Sequence, residues 1–168
     1  TFANPDHHLL AIELAKEANA AGAHIRPQTT SRGIGVLFAL GGSTPFDRHP
    51  SWRALHDVPP ADRTRELSAR RVQLLAEAAE GPDGEQLARF FLTGVDSQVA
   101  RFDCDPATEL PAVAAAAGVT AAEAYLDALI RSDGAAVVYW PILNQDLGAV
   151  GEMLADDTVV LGLADGGA

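Results

Sequence analysis

Four scarcities in this sequence each exclude something. Cysteine occurs once in 168 residues, at Cys104, so an internal disulfide and a multi-cysteine zinc cluster are both ruled out. Lysine also occurs once, at Lys16, and positive charge as a whole is scarce. Twelve Lys and Arg stand against 23 Asp and Glu, giving a net charge of -11 and a pI near 4.7. The acidic residues are spread through helical segments as a solvated outer face, and a surface of that sign disfavours a phosphate-backbone partner. Long apolar runs are missing: no window reaches the roughly 18 unbroken apolar residues of a membrane span. No basic stretch followed by an apolar one opens the chain as a secretory signal would. The expectation is one globular domain, with 48% hydrophobic residues for its core, cytoplasmic by default, with neither nucleic acid nor membrane as a partner.

What is present is organised around the last eleven residues, TVVLGLADGGA. Residues 158–163 form an almost wholly apolar run bounded by acidic residues and glycines, the pattern of a strand buried on both faces of a parallel sheet. Asp165 follows at its C-terminal end, before Gly166 and Gly167. An α/β fold places its chemistry at that end of a strand. The plainer reading of Asp-Gly-Gly is turn chemistry, since Asp caps its own backbone and Gly takes positive φ. A first residue that is Thr, and a strand-turn signal that runs into the last residue, give the expectation that the chain is a piece of something longer.

Upstream, Asn4, Pro5 and Asp6 read as a helix start, and Leu10, Leu14 and Ala18 keep helical spacing as far as Gly22. HIRPQ (24–28) reads as a short strand leading into the polar turn TTSRG. Segment 34–94 reads as a long, mostly helical insertion. IGVLFAL is taken as a short apolar turn of helix, Pro50 and the Pro59–Pro60 pair open further helices, and residues 71–79 form another. Insertions of that size shape a site or a lid, or simply cover the fold. Thr120 and Glu123 form a capping box for the helix AAEAYLDALI, which closes at Gly134. AAVVYWPIL (135–143) is a second buried-type strand, and Leu147, Val150 and Leu154 form the inward stripe of the helix after it. Strands alternating with helices predict a parallel α/β sheet of about four strands.

Parallel strands bring their C-terminal ends to one rim, which nominates Gln28, Arg32 and Asn144 as substrate contacts beside Asp165. His24 begins its strand and belongs to the opposite rim. His7 and His8 are adjacent on a helix and point about 100° apart, so they cannot serve one ion together. His49 and His56 lack the spacing of a zinc site.

Three stretches carry a resemblance. GAHIRPQTTSRGIGVLFAL, TPFDRHPSWRALHDVPPADRTRELSARRVQLLAEA and GVTAAEAYLDALIRSDGAAVVYWPILNQDLGAVGEMLADDTVVLGLADGGA together resemble the C-terminal part of the barrel in the N-acyl-D-amino-acid deacylase branch of the amidohydrolase superfamily. The resemblance implies the C-terminal half of a (β/α)8 barrel, with a helical insertion at 34–94 and the last two barrel strands within 135–168. It also implies a zinc site at the C-terminal rim. Asp165 falls on the Asp of the family's DGGAH pattern, which is both a metal-site residue and the general base. The family's Ser before that Asp is Ala164 here, and its leucine-arginine-aspartate-proline run reads LSARR.

The implied activity is hydrolysis of the C–N amide bond of an N-acyl amino acid or similar small amide. The other zinc ligands lie upstream of this chain in the family, so the isolated 168 residues are expected to be inactive. An incomplete barrel is further expected to self-associate or to pair with the missing part of its parent chain, because the apolar faces of Val137, Val159 and Leu161 would lack an opposite wall. The alternative of another class is a non-catalytic α/β domain that binds a small ligand or protein partner through 34–94.

Overall fold

The computed structural model describes residues 6–80, 86–95, 99 and 104–162. They form a mixed α/β structure in two compact units, one made of 1–35 with 141–168 and the other of 36–140. The elements in chain order are α1 (His7–Ala20), β1 (Gln28–Thr29), β2 (Ile34–Ala39), α2 (Pro50–Arg53), α3 (Pro60–Ala69), α4 (Arg71–Ala78) and β3 (Phe91–Thr93). After these come α5 (Leu110–Ala117), α6 (Ala121–Arg131), β4 (Val137–Leu143), α7 (Leu147–Ala155) and β5 (Val160–Leu161), with short 3-10 turns at Ala54–Asp57 and Pro106–Thr108. No single helix among the described residues is long and apolar enough to cross a membrane.

The sheet differs from the expected parallel four strands. β1 and β5 pair in parallel, whereas β2, β4 and β3 form a separate sheet with β4 in the middle and β3 antiparallel to it, Leu92 opposite Val138. IGVLFAL is also corrected, from helix to the strand β2. Seven residues between Gly33 and the Gly41–Gly42 pair are too few for a self-supporting helix. The β-branched and aromatic Ile34, Val36 and Phe38 recur at every second position, the period of a strand. β5 is not sealed on both faces either: Leu161 is 65% exposed, since a two-stranded sheet offers little to cover it. Residues 163–168, with Asp165, and the Asn4–Pro5 helix start lie outside the described residues.

The 36–140 unit holds most of the core. Its centre is an aromatic trio, Phe46, Trp52 and Tyr125, with the Phe46 and Trp52 ring centroids 4.7 Å apart and Tyr125 6.1 Å from each. Leu55, Leu67, Leu74, Leu126 and Leu129 surround it, all fully buried. α6 supplies Ala124, Tyr125, Leu126, Ala128 and Leu129 to this core, so the helices of 34–94 pack together with 110–140 and not as a module of their own. The α6 start is built as the sequence requires. Thr120 Oγ1 accepts from the Glu123 backbone N–H at 3.2 Å, and Glu123 Oε2 accepts from the Thr120 N–H at 2.8 Å. Donation from the Thr120 N–H and hydroxyl to Glu123 Oε2 holds the Glu123 carboxyl below its usual range. Arg71 of α4 is paired with Asp127 of α6.

Among the described residues this core holds an unsatisfied hydroxyl. Tyr125 is fully buried and its hydroxyl has no hydrogen-bond partner among the described residues. Burial, with a smaller push from the Asp47 charge, raises it well above the ordinary tyrosine range. An orphaned buried hydroxyl loses its hydration without a return. Tyr125→Phe is therefore expected to stabilise the protein by about 1 kcal/mol, seen as a higher urea midpoint at unchanged slope. A lower midpoint would show that the hydroxyl is satisfied.

In the other unit α1 ends in a glycine-terminated turn. Gly22 sits at φ +98°, its N–H donates to Asn19 O at 3.0 Å, and the Ala23 N–H reaches Ala18 O at 3.0 Å. Asn19 then holds the outgoing chain, donating to Ile25 O at 2.9 Å and accepting from the Ile25 N–H at 2.7 Å. Together these turn the chain from α1 into β1.

Candidate functional site

Proline shapes β1. Pro27 has no N–H to donate, but its carbonyl accepts from the Val160 N–H at 2.9 Å, and the ladder then continues with Gly162 N–H to Thr29 O at 2.7 Å. Before the ladder starts, Arg26 spans the same gap, Nε to Thr158 O at 3.1 Å and Nη2 to Asp157 O at 2.9 Å. Gln28 lies opposite Val160 and Thr29 opposite Leu161. The pair is parallel, so the C-terminal ends of β1 and β5 lie side by side. A Cβ on Gly162 would meet Thr29 O and Gln28 Cβ at 3.4 Å.

The exit of β4 is joined to the same place by Asn144. Its Nδ2 donates to Thr29 Oγ1 at 3.2 Å and to Thr30 Oγ1 at 3.1 Å. Thr30 Oγ1 in turn donates to Arg32 O at 2.8 Å. The Thr30 proton is thus committed to Arg32, which leaves only a lone pair facing Asn144 and fixes the amide with its nitrogen toward the threonines. Asn144 makes this reach from the left-handed region, φ +55°, a conformation that Asn tolerates better than other non-glycine residues. Next to it Gln145 Nε2 donates to Ile34 O and Leu143 O, both at 2.9 Å. Gly33 lies under that side chain, where a Cβ would come within 3.0 Å of Gln145 Nε2 and Oε1. A side chain at position 33 would therefore displace the end of the Gln145 side chain.

Of the nominated residues, Gln28, Arg32 and Asn144 therefore fall in one unit at the outgoing ends of β1 and β4. Gln28 and Arg32 are exposed and Asn144 is half-buried. Asp165 lies outside the described residues. Sequence reasoning gave Asn144 no structural reason to be there, and the structure supplies one in the two threonines. It did not nominate Thr29, Thr30 or Gln145 as contacts, although a Thr-Thr pair directly after a Pro-broken strand was a usable signal, because hydroxyls there can meet the amide of a neighbouring strand exit.

Two of the histidines, His8 and His56, lie against carboxylates. His8 Nε2 is 2.9 Å from Glu152 Oε2. His56 Nε2 lies 3.0 Å from Asp47 Oδ2, an ion-pair distance without hydrogen-bond alignment, while both Asp47 oxygens accept from Thr44, from its N–H at 3.0 Å and its hydroxyl at 2.5 Å. Among the described residues no three His, Cys, Asp or Glu side chains gather as a metal would require. By themselves they do not form a zinc site.

At the opposite end of the same unit, Lys16 Nζ meets Asp156 Oδ2 at 2.8 Å. That ammonium, with the Thr158 N–H, holds the Asp156 carboxyl down to about 2, from an ordinary 3.8. The unfolded chain then takes up the proton at higher pH than the folded one. The contribution of this pair is complete above about pH 4 and is lost as pH falls toward 2. Asp156→Asn is expected to flatten the acid limb of the stability profile in that window and leave the profile above pH 5 parallel to wild type. An unchanged acid limb would contradict the pairing.

In comparison with known proteins, no family model matches the chain, and neither a curated protein nor a solved structure matches it.

Proposed function

We propose that this chain is the C-terminal part of the barrel of a zinc-dependent amidohydrolase acting on the amide bond of an N-acyl amino acid, with most zinc ligands contributed from outside these residues. One observation carries the reading. The outgoing ends of β1 and β4 are tied together through Asn144, and the end of β5 lies beside that of β1. The chain then runs on from β5 to Asp165 in three residues after Gly162. A (β/α)8 barrel carries its chemistry where the C-terminal ends of its strands gather.

In this reading Asp165 is the general base. It takes a proton from the attacking water and returns it to the departing amine, so a single carboxylate serves both steps. Gln28, Arg32 and Asn144 contact the substrate, and the missing barrel strands, from the parent chain or by self-association, cover exposed residues such as Leu161. The second reading, a ligand- or partner-binding domain acting through 34–94, is favoured by the self-contained core of the 36–140 unit.

A screen of N-acetyl-D- and N-acetyl-L-amino acids with the natural polypeptide that carries this chain separates the two. Release of free amino acid from at least one enantiomeric series is the expected result. No release from any of them, together with a partner or ligand bound by residues 36–140 alone, would leave the second reading.

A further inference from the structure

Thr29 and Thr30 at the end of β1 each join the Asn144 amide to a second piece of backbone. Thr29 is only 8% exposed, so little of it can meet a substrate. Its Oγ1 accepts from Asn144 Nδ2 of the β4 exit at 3.2 Å, and its carbonyl accepts from the Gly162 N–H at the end of β5 at 2.7 Å. That is the last ladder bond among the described residues, and Asp165 follows three residues later. Three residues span at most about 10 Å, so the point at which Gly162 is held bounds where the Asp165 carboxylate can stand. Thr30 ties down the other side. Its Oγ1 accepts from the same Asn144 nitrogen at 3.1 Å and donates to Arg32 O at 2.8 Å, which closes the turn that presents the exposed Arg32. One amide nitrogen therefore sets two backbones. Asn144 does this from φ +55°, and the cost of such a conformation is borne where a site uses it.

We propose that Thr29 and Thr30 are positioning residues of the hydrolase site, Thr29 fixing the stem that carries Asp165 and Thr30 fixing the turn that carries Arg32, both anchored on the Asn144 amide. The inference deepens the amide-hydrolase reading and rests on it for the roles of Asp165 and Arg32. The two hydroxyls then differ in consequence. Misplacing a base that acts only on the way to the transition state lowers kcat and spares KM. Loosening a residue that holds bound substrate and transition state alike raises KM and spares kcat. Neither threonine needs to touch the reacting atoms.

The test is the kinetics of the natural polypeptide that carries this chain, with N-acetyl-D- and N-acetyl-L-amino acids as substrates. Val keeps the shape of Thr and loses the hydroxyl, whereas Ser keeps the hydroxyl. Thr29→Val is expected to lower kcat about tenfold at little changed KM, and Thr30→Val to raise KM about fivefold at little changed kcat. Thr29→Ser and Thr30→Ser should each return to within about twofold of wild type. A second readout does not depend on catalysis. The Gly162 N–H should exchange with deuterium about fivefold faster in Thr29→Val and at the wild-type rate in Thr29→Ser. The Val160 N–H, bonded to Pro27 O, should be unchanged in both. An active wild type whose variants keep its kcat and KM, the same kinetic change in both Val variants, a loss that Ser does not reverse, or unaltered Gly162 exchange would overturn the proposal and leave the hydrolase reading standing. A wild type that hydrolyses none of these amides would instead sink the hydrolase reading and, with it, this proposal.

Discussion

In the natural polypeptide that carries this chain, Asp165→Asn should lower kcat for an N-acyl amino acid by about a thousandfold while KM changes little. Asn keeps the size and shape of the side chain but cannot take up a proton, and general acid-base steps contribute about 10²–10⁴ in rate. The proton moves only on the way to the transition state. Loss of an interaction made only there lowers kcat and kcat/KM together. Because Asn keeps the shape of the side chain, the thermal midpoint should stay within a degree or two of wild type. Activity kept within tenfold would remove Asp165 from the chemistry, whereas collapse of folding with activity would make it structural.

Trp52→Ala should be the most damaging change in the 36–140 unit. Trp52 is fully buried, lies against Phe46 and Tyr125, and its Nε1 donates to Leu74 O at 3.0 Å, which links α2 to α4. Truncation removes the largest side chain of the core and leaves a cavity, at a cost of about 3–5 kcal/mol. That is a large part of the about 5–15 kcal/mol by which a domain is stable. Trp52→Phe refills most of the space and loses the hydrogen bond, so about 1–2 kcal/mol is expected. Urea unfolding followed by far-ultraviolet circular dichroism reads both. A Trp52→Ala midpoint close to wild type would mean that the aromatic trio is not the centre of this core.

The parts of the fold legible in the sequence were those set by local chemistry. The Thr120–Glu123 capping box, the glycine stop after α1 and the apolar run of β4 each depend on residues within a few positions of one another. Strand partners were harder to read. The β-branched residues of IGVLFAL were present, but a seven-residue apolar run has no period that separates buried strand from helix until its neighbour is known. The antiparallel placement of β3 depends on Phe91, Leu92 and Thr93 meeting Tyr139, Val138 and Val137 across a separation of more than 40 residues, a register that no local pattern encodes. The same holds at the site. Rim position marked Asn144, but its partners Thr29 and Thr30 lie more than 110 residues away, and only the folded chain pairs them.

The central claim is that these residues belong to a zinc-dependent amide hydrolase, and the most direct measurement is metal content beside activity on the natural polypeptide. Elemental analysis after purification without chelators should find bound zinc, and hydrolysis of an N-acyl amino acid should vanish on chelation and return when zinc is restored. A folded, metal-free polypeptide that hydrolyses no N-acyl amino acid, with or without added zinc, would contradict the claim.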